Sequence, residues 1–327
     1  MNAYSEYLSA ADIGDQRLHP TFCETVGNTS RFRTVALQEL RDMAIPEREM
    51  VLSPIIPAKG LAMIYAARGV GKTQIGIGAS FAVATGGSFL RWRALQPRRV
   101  LYIDGEMPMK ALQERVNMLA GSGGEMPSPE YFRFLAMDMQ ELGTSCNLAN
   151  PEHQKAVEAE LRGAELVIFD NLSTLVSAGR ENDAESWDAM QAWLLHLRRC
   201  GVSVLMIHHA GRGENARGTS KREDVLDTVI YLKRPENYLA TEGARFEVHL
   251  TKARGIFGQD AEPFEAKLVT LNGSAEWTMR GIQNQEVEQV LDMSNSRMSV
   301  RDIAQELSIS KSKVSRIQST LRSEGRL

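Results

Sequence analysis

Seven short apolar runs punctuate the centre of the chain: Leu61 to Ala67, Val100 to Ile103, Phe132 to Met137, Leu166 to Phe169, Ser203 to Ile207, Thr228 to Leu232 and Phe246 to Leu250. Runs of this length, bounded by turn residues, predict strands buried on both faces, and the amphipathic spacers between them predict the crossover helices of a parallel sheet. In the spacer Glu185 to Arg199, the side chains of Trp187, Met190, Leu194 and Leu197 fall on one helical face, with Asn182 or Asp183 as its cap. From Phe264 the rhythm shortens. Phe264 to Leu271, an Asn272-Gly273 turn and Glu276 to Met279 predict a hairpin that closes the sheet edge. The pattern therefore describes one large α/β domain over residues 45–280.

Two smaller pieces flank it. Residues 1–44 form an N-terminal extension, weakly periodic to residue 34, after which Ala36, Leu37, Leu40 and Met43 make a short amphipathic helical stripe that stops before Pro46. Covering the domain's own core is the simpler expectation for that stripe, and docking on a neighbouring subunit is the other. At the C-terminal end, Gly281 to Asn284 reads as a linker to a second domain over 285–327. There Val300, Ile303, Ala304 and Leu307 give one buried face, and Val314, Ile317 and Leu321 give another, with a short turn between and Ser310 as a cap. This looks like a helix-turn-helix of the winged type, whose second helix offers Lys311, Ser312, Lys313, Ser315 and Arg316 to a DNA major groove, with Arg322 and Arg326 as phosphate contacts.

Composition narrows the picture. A chain of 327 residues has room for one large domain and a small one. Cys23, Cys146 and Cys200 lie scattered without CxxC spacing, so they suggest neither a zinc site nor a disulfide framework and suit a reducing compartment. No apolar run reaches the roughly 18 residues of a membrane span. The N-terminus MNAYSEYLSAADIGDQ also lacks a basic region followed by an apolar one. The expected location is the cytoplasm, with no membrane partner. A net charge of −3 gives no global nucleic-acid footprint, so DNA contact is expected only locally. The segment from Arg297 to the end, with Arg297, Arg301, Lys311, Lys313, Arg316, Arg322 and Arg326 against Asp302, Glu306 and Glu324, is the basic part of an acidic chain.

Residues 66 to 73, AARGVGKT, supply the chemistry. Ala66, Ala67, Arg68, Gly69, Val70, Gly71, Lys72 and Thr73, with Gln74 after them, follow an apolar strand and precede a helix whose Ile75, Ile77, Ala79, Phe81 and Ala82 predict burial. In such a phosphate loop, backbone N–H groups point at the β-phosphate, Lys72 reaches the β- and γ-oxygens, and the Thr73 hydroxyl takes a position on Mg²⁺. The helix N-terminus adds its dipole. Ala66 stands where the motif has its first glycine, which the loop admits if φ there stays negative or its geometry is slightly altered.

Hydrolysis of a nucleotide also needs an acidic partner for the metal, a group to activate water, and positive charge for the γ-phosphoryl group. Asp170 ends the strand Leu166 to Phe169 and is the candidate Mg²⁺ ligand, direct or through water. Asp104 and Glu106 end another strand; Glu106, just before Pro108, is the candidate to polarise water, with Asp104 in support. His208 and His209 face opposite ways on one strand, so one of them is the candidate sensor of the γ-phosphate. The glycine-rich loop Gly211 to Ser220, with Arg212 and Arg217, is either a DNA contact or a plain connection. Lys252 and Arg254, two residues apart near a strand end, form a cationic pair suited to a neighbouring subunit's ATP.

The loop AARGVGKT, the DGE strand ending, LVIFDN, the HH pair, RGTSKREDVLDTVIYL and TKARG follow the order seen in RecA-like ATPases. The set resembles most closely the plasmid RepA-type hexameric helicases and related ATPases of mobile elements, over about residues 45–280. The resemblance implies a RecA-like, mostly parallel sheet flanked by helices, which assembles as a homo-oligomeric, hexameric ring with ATP and Mg²⁺ at the subunit interfaces. It also implies roles: Lys72 and Thr73 on phosphate and Mg²⁺, Asp170 as the metal-associated acid, Glu106 as the catalytic glutamate, His208 or His209 as the coupling sensor, and Lys252 with Arg254 as fingers in trans. The function expected is an ATP-driven DNA motor, a replicative or recombination helicase; the alternative is a non-translocating DNA-binding ATPase that acts as a regulator or loader.

Overall fold

The computed structural model describes residues 33–120, 125–176, 184–211, 223–271, 274–282 and 285–327. Helix α1 (Leu37–Asp42) comes first. It buries none of its residues, and the whole stretch from 33 to 49 is exposed. The simpler expectation for its apolar stripe is thereby corrected: a six-residue helix ahead of the sheet covers nothing of the core.

The body then builds in order. Strands β1 (Met50–Leu52) and β2 (Ile56–Pro57) form a small ribbon that leads into β3 (Leu61–Ala66), the phosphate loop and α2 (Lys72–Thr85). A second ribbon, β4 (Ser88–Phe89) with β5 (Trp92–Arg93), precedes β6 (Val100–Asp104), α3 (Met109–Ala120), β7 (Phe132–Ala136) and α4 (Pro151–Leu161). Next come β8 (Leu166–Asp170), the short α5 (Leu172–Leu175), α6 (Ala184–Arg199), β9 (Ser203–His209) and β10 (Thr228–Lys233). Strands β11 (Arg245–Ala253), β12 (Phe264–Leu271) and β13 (Ser274–Gly281) complete the sheet, and α7 (Gln285–Asn295), α8 (Val300–Glu306) and α9 (Lys311–Ser323) follow.

The nine-stranded sheet has the order β13-β12-β11-β10-β3-β9-β8-β6-β7. Strands β10, β3, β9, β8, β6 and β7 are mutually parallel, whereas β11, β12 and β13 run antiparallel. The Phe246 to Leu250 run therefore departs from the parallel expectation, because the chain returns from β10 to β11 without a crossover helix. The hairpin expected at the edge is β12 with β13.

Alternation along each central strand feeds two cores, one per face. On one face Ile64, Tyr102, Ile168 and Ile207 pack with Ile75 and Ile77 of α2, a helix apolar on nearly every side and accordingly buried, with Phe81 half-buried at its margin. On the other, Met63, Phe169 and Met206 meet Trp187, Met190, Trp193, Leu194 and Leu197 of α6. The three C-terminal helices enclose a separate small core of Val290, Ile303, Ala304 and Val314, with Ser299 and Ser310 capping α8 and α9. Among its described residues this unit holds no strand, so the expected β wing is not present. Residues 1–32, the Asn182 or Asp183 cap, the Asn272-Gly273 turn, and Arg212 and Arg217 lie outside the described residues.

Candidate nucleotide site

The phosphate loop leaves the tip of β3, the strand that β10 and β9 flank in the sheet, and enters α2. Ala66 is still the last strand residue, paired with Leu232 and His209 and outside the positive-φ region, so a methyl group sits there without strain. Left-handed backbone is needed further on, at Gly69 (φ 73°) and Gly71 (φ 121°). A Cβ on Gly71 would also stand 3.2 Å from Phe246, which keeps the turn into the helix free of side chains.

Lys72 is buried and folds back over the loop, where its Nζ donates to the carbonyls of Ala66 (3.1 Å) and Ala67 (2.9 Å). Burial pulls the Lys72 ammonium down to about 8, while the nearby Asp170 and Glu106 charges oppose that shift. Asp170, at the tip of β8, is buried almost completely. Burial raises its carboxyl, and hydrogen bonds from Tyr102 and Thr73, with the Lys72 charge, pull the other way. Its Oδ2 accepts a 2.7 Å hydrogen bond from the Tyr102 hydroxyl of β6.

Asp104 lies opposite Asp170 in register and is turned inward. Its Oδ1 accepts from the backbone N–H groups of Glu106 (3.1 Å) and Met107 (2.6 Å), which holds the loop beyond β6 in place. Burial raises the Asp104 carboxyl to about 6 against those two bonds. Strand alternation alone put Asp104 and Glu106 side by side; the structure instead folds Asp104 beneath the turn and leaves the Glu106 side chain 57% exposed above it. There Glu106 Oε2 accepts from the Asn171 side-chain amide and lies 3.9 Å from His209 Nε2.

The histidines part as their strand position requires. His209 reaches Glu106, whereas His208 is fully buried on the strand's opposite face. Gln74 contacts Met118 of α3. Arg68 adds an exposed charge near Lys72.

Lys252 and Arg254 stand elsewhere. Ala253 pairs with Thr228 and Thr228 with Ala62, at the start of β3, while the phosphate loop leaves the far end of that strand. Both cations bind backbone carbonyls of the segment that leads into β10: Lys252 Nζ donates to those of Glu223 and Asp224, and Arg254 Nη2 donates to that of Asp224 (2.9 Å). They are together, but not on their own phosphate loop. On α9, Lys311, Ser312, Lys313, Ser315 and Arg316 are all exposed. Arg316 lines a cleft of about 680 Å³ with Arg280, Gly281 and Ile282, so it faces the end of the hairpin.

Three residues that sequence reasoning passed over also belong here. Tyr102 shares a strand face with Asp104, and Asn171 directly follows Asp170 as the cap of α5, two signals visible in the sequence pattern. Arg234, whose Nη2 donates to Gly69 O at 3.1 Å, comes from beyond β10, and only the sheet order brings it to the loop.

The donor set fits a nucleoside triphosphate with Mg²⁺. A glycine turn opens a helix N-terminus, a buried ammonium donates to loop carbonyls, and the Thr73 hydroxyl meets the buried Asp170 carboxylate beside it. Comparison with known proteins agrees on the class. Residues 28–215, more than half of the chain, match the family model described as AAA domain. The chain belongs to that family. A KaiC-like protein from the hyperthermophilic archaeon Pyrococcus horikoshii OT3 is similar in structure over 71% of this chain and 99% of its own, with a TM-score of 0.50 and 12% identity. That likeness concerns the fold, which is that of a RecA-like P-loop ATPase. No curated protein matches the chain.

Proposed function

We propose that this AAA-domain protein is an ATP-hydrolysing, oligomeric DNA motor, a replicative or recombination helicase of the plasmid RepA type. The observation that carries the reading is the separation of Lys252 and Arg254 from the phosphate loop of their own chain, at opposite ends of the sheet. A cationic pair so placed serves hydrolysis only in a second subunit's site, which makes the working unit an oligomer, a ring where its head-to-tail contacts close. Such a finger is worth about 10³- to 10⁵-fold in rate.

Within one site, Lys72 holds the β- and γ-phosphates, and Thr73 with Asp170 holds Mg²⁺, which neutralises charge on the transferred group. Glu106 polarises the attacking water. His209, 3.9 Å from Glu106, is placed to report the state of the γ-phosphate, whereas His208 on the opposite face supports the core. The exposed polar side of α9, with Lys311, Ser312, Lys313, Ser315 and Arg316, is the duplex-binding surface of the C-terminal unit, Arg316 sharing it with the cleft.

The test is the rate of ATP hydrolysis with and without single-stranded DNA, followed by strand displacement, with Lys72→Ala as the inactive control. Stimulation and unwinding are expected; hydrolysis that no single strand stimulates, with no displacement, sinks the motor reading. The small separate core of the C-terminal helices favours a second reading, a non-translocating DNA-binding ATPase. Deletion after Ile282 should then remove duplex binding and its salt dependence and spare basal hydrolysis.

A further inference from the structure

Glu106 stands on a turn outside the sheet, more than half exposed, and a long carboxylate on such a turn needs a tether if it is to hold one orientation. The tether comes from the next strand. Asn171, itself almost fully buried, donates from its side-chain amide to Glu106 Oε2. The same side chain is pinned at its other end, because Asn171 Oδ1 accepts from the Ser173 N–H at 3.0 Å and so caps α5. With the oxygen committed to the helix, the amide nitrogen has one orientation, and it points at Glu106. The backbone joins in: Gly105 N donates to Asp170 O at 2.8 Å. A Cβ on Gly105 would lie 2.6 Å from Thr174 Oγ1 and 2.8 Å from Leu175, so only glycine lets this turn settle against α5.

Taking Glu106 as the water-polarising base proposed above, we infer that Asn171 is its positioning residue, locking the carboxylate to the strand tip that carries Asp170. In the site proposed above, phosphate and metal are held by Lys72, Thr73 and Asp170 and not by Asn171. Its loss therefore lowers kcat and leaves nucleotide affinity unchanged, a split that a general loss of structure does not give. The cap makes a clean substitution available. Asn171→Asp keeps a side-chain oxygen for Ser173, since Asp caps helices as well as Asn, but presents no donor to Glu106. Asn171→Gly removes the donor without adding charge, since glycine is tolerated at a helix N-cap, and covers the case in which a second buried carboxylate beside Asp170 prevents folding.

The experiment measures kcat, KM and direct nucleotide affinity, with the thermal midpoint, for the full-length protein, both variants and Glu106→Gln. We expect kcat to fall on the order of 10- to 100-fold in the variants, with affinity and midpoint near those of the parent. Wild-type kcat in either folded variant, or a loss of affinity in step with kcat, overturns the assignment. If Glu106→Gln itself hydrolyses ATP at the parental rate, the reading of Glu106 fails, which is a separate outcome from full activity in the Asn171 variants beside an inactive Glu106→Gln.

Discussion

The Tyr102 hydroxyl of β6 donates a 2.7 Å hydrogen bond to Asp170 Oδ2 of β8, across two adjacent parallel strands and in full burial. With the Thr73 hydroxyl, it supplies a neutral donor to a carboxylate whose ionisation burial opposes. Tyr102→Phe removes the donor and keeps the ring. We expect a loss of about 1 to 2 kcal/mol of stability near neutral pH, read by denaturant titration. Because the bond lowers the Asp170 carboxyl, its loss raises it further, so Mg²⁺-dependent nucleotide binding should begin to fail at a higher pH than in the parent.

Lys72 is poised to take up a proton. Burial brings its ammonium down to about 8, and a bound triphosphate adds negative charge that raises it again. Affinity is then fully present below pH 8 and falls as pH rises through that value, by at most about tenfold per pH unit. Calorimetric titration near pH 8 in two buffers of different ionisation enthalpy should report proton uptake. A dissociation constant that stays flat across this range contradicts it.

Asp104 carries a linkage of the same sign, to stability rather than to binding. Its folded value of about 6 lies above the ordinary 3.8, so the native state holds the extra proton between these values. The stability that this provides is fully present below about pH 4 and is lost as pH rises through 6. Asp104→Asn keeps an oxygen for the Glu106 and Met107 N–H groups and removes the ionisation. It should be more stable than the parent at pH 8, on the order of 2 kcal/mol, with the difference nearly gone at pH 4. Thermal midpoints at the two pH values measure this.

Subunit mixing tests the shared site. Arg254→Ala subunits keep the proposed base and lack a finger, and Glu106→Gln subunits have the reverse defect. Mixed before assay, two such inactive preparations should regain part of the activity, at best in mixed rings where an intact base faces an intact finger. Inactivity at every mixing ratio counts against a site between subunits.

Local pattern determined much of this protein. The buried strands were legible because they are apolar on both faces, and the phosphate loop was legible because glycines, Lys72 and Thr73 occur at one fixed spacing after a strand. Even the parting of His208 from His209 followed from a side-chain period of two. What the sequence did not contain were relationships between elements distant along the chain. Asn171 meets Glu106 because β6 and β8 are neighbours in the sheet, and Arg234 reaches Gly69 because β10 lies beside β3. The antiparallel turn-back at β11 sends Lys252 and Arg254 away from their own phosphate loop, and α1 is left uncovered although its stripe is amphipathic. Periodicity reports which side of an element is apolar; only strand order and register decide which side chains meet, since those contacts depend on pairings that no local stretch of sequence encodes.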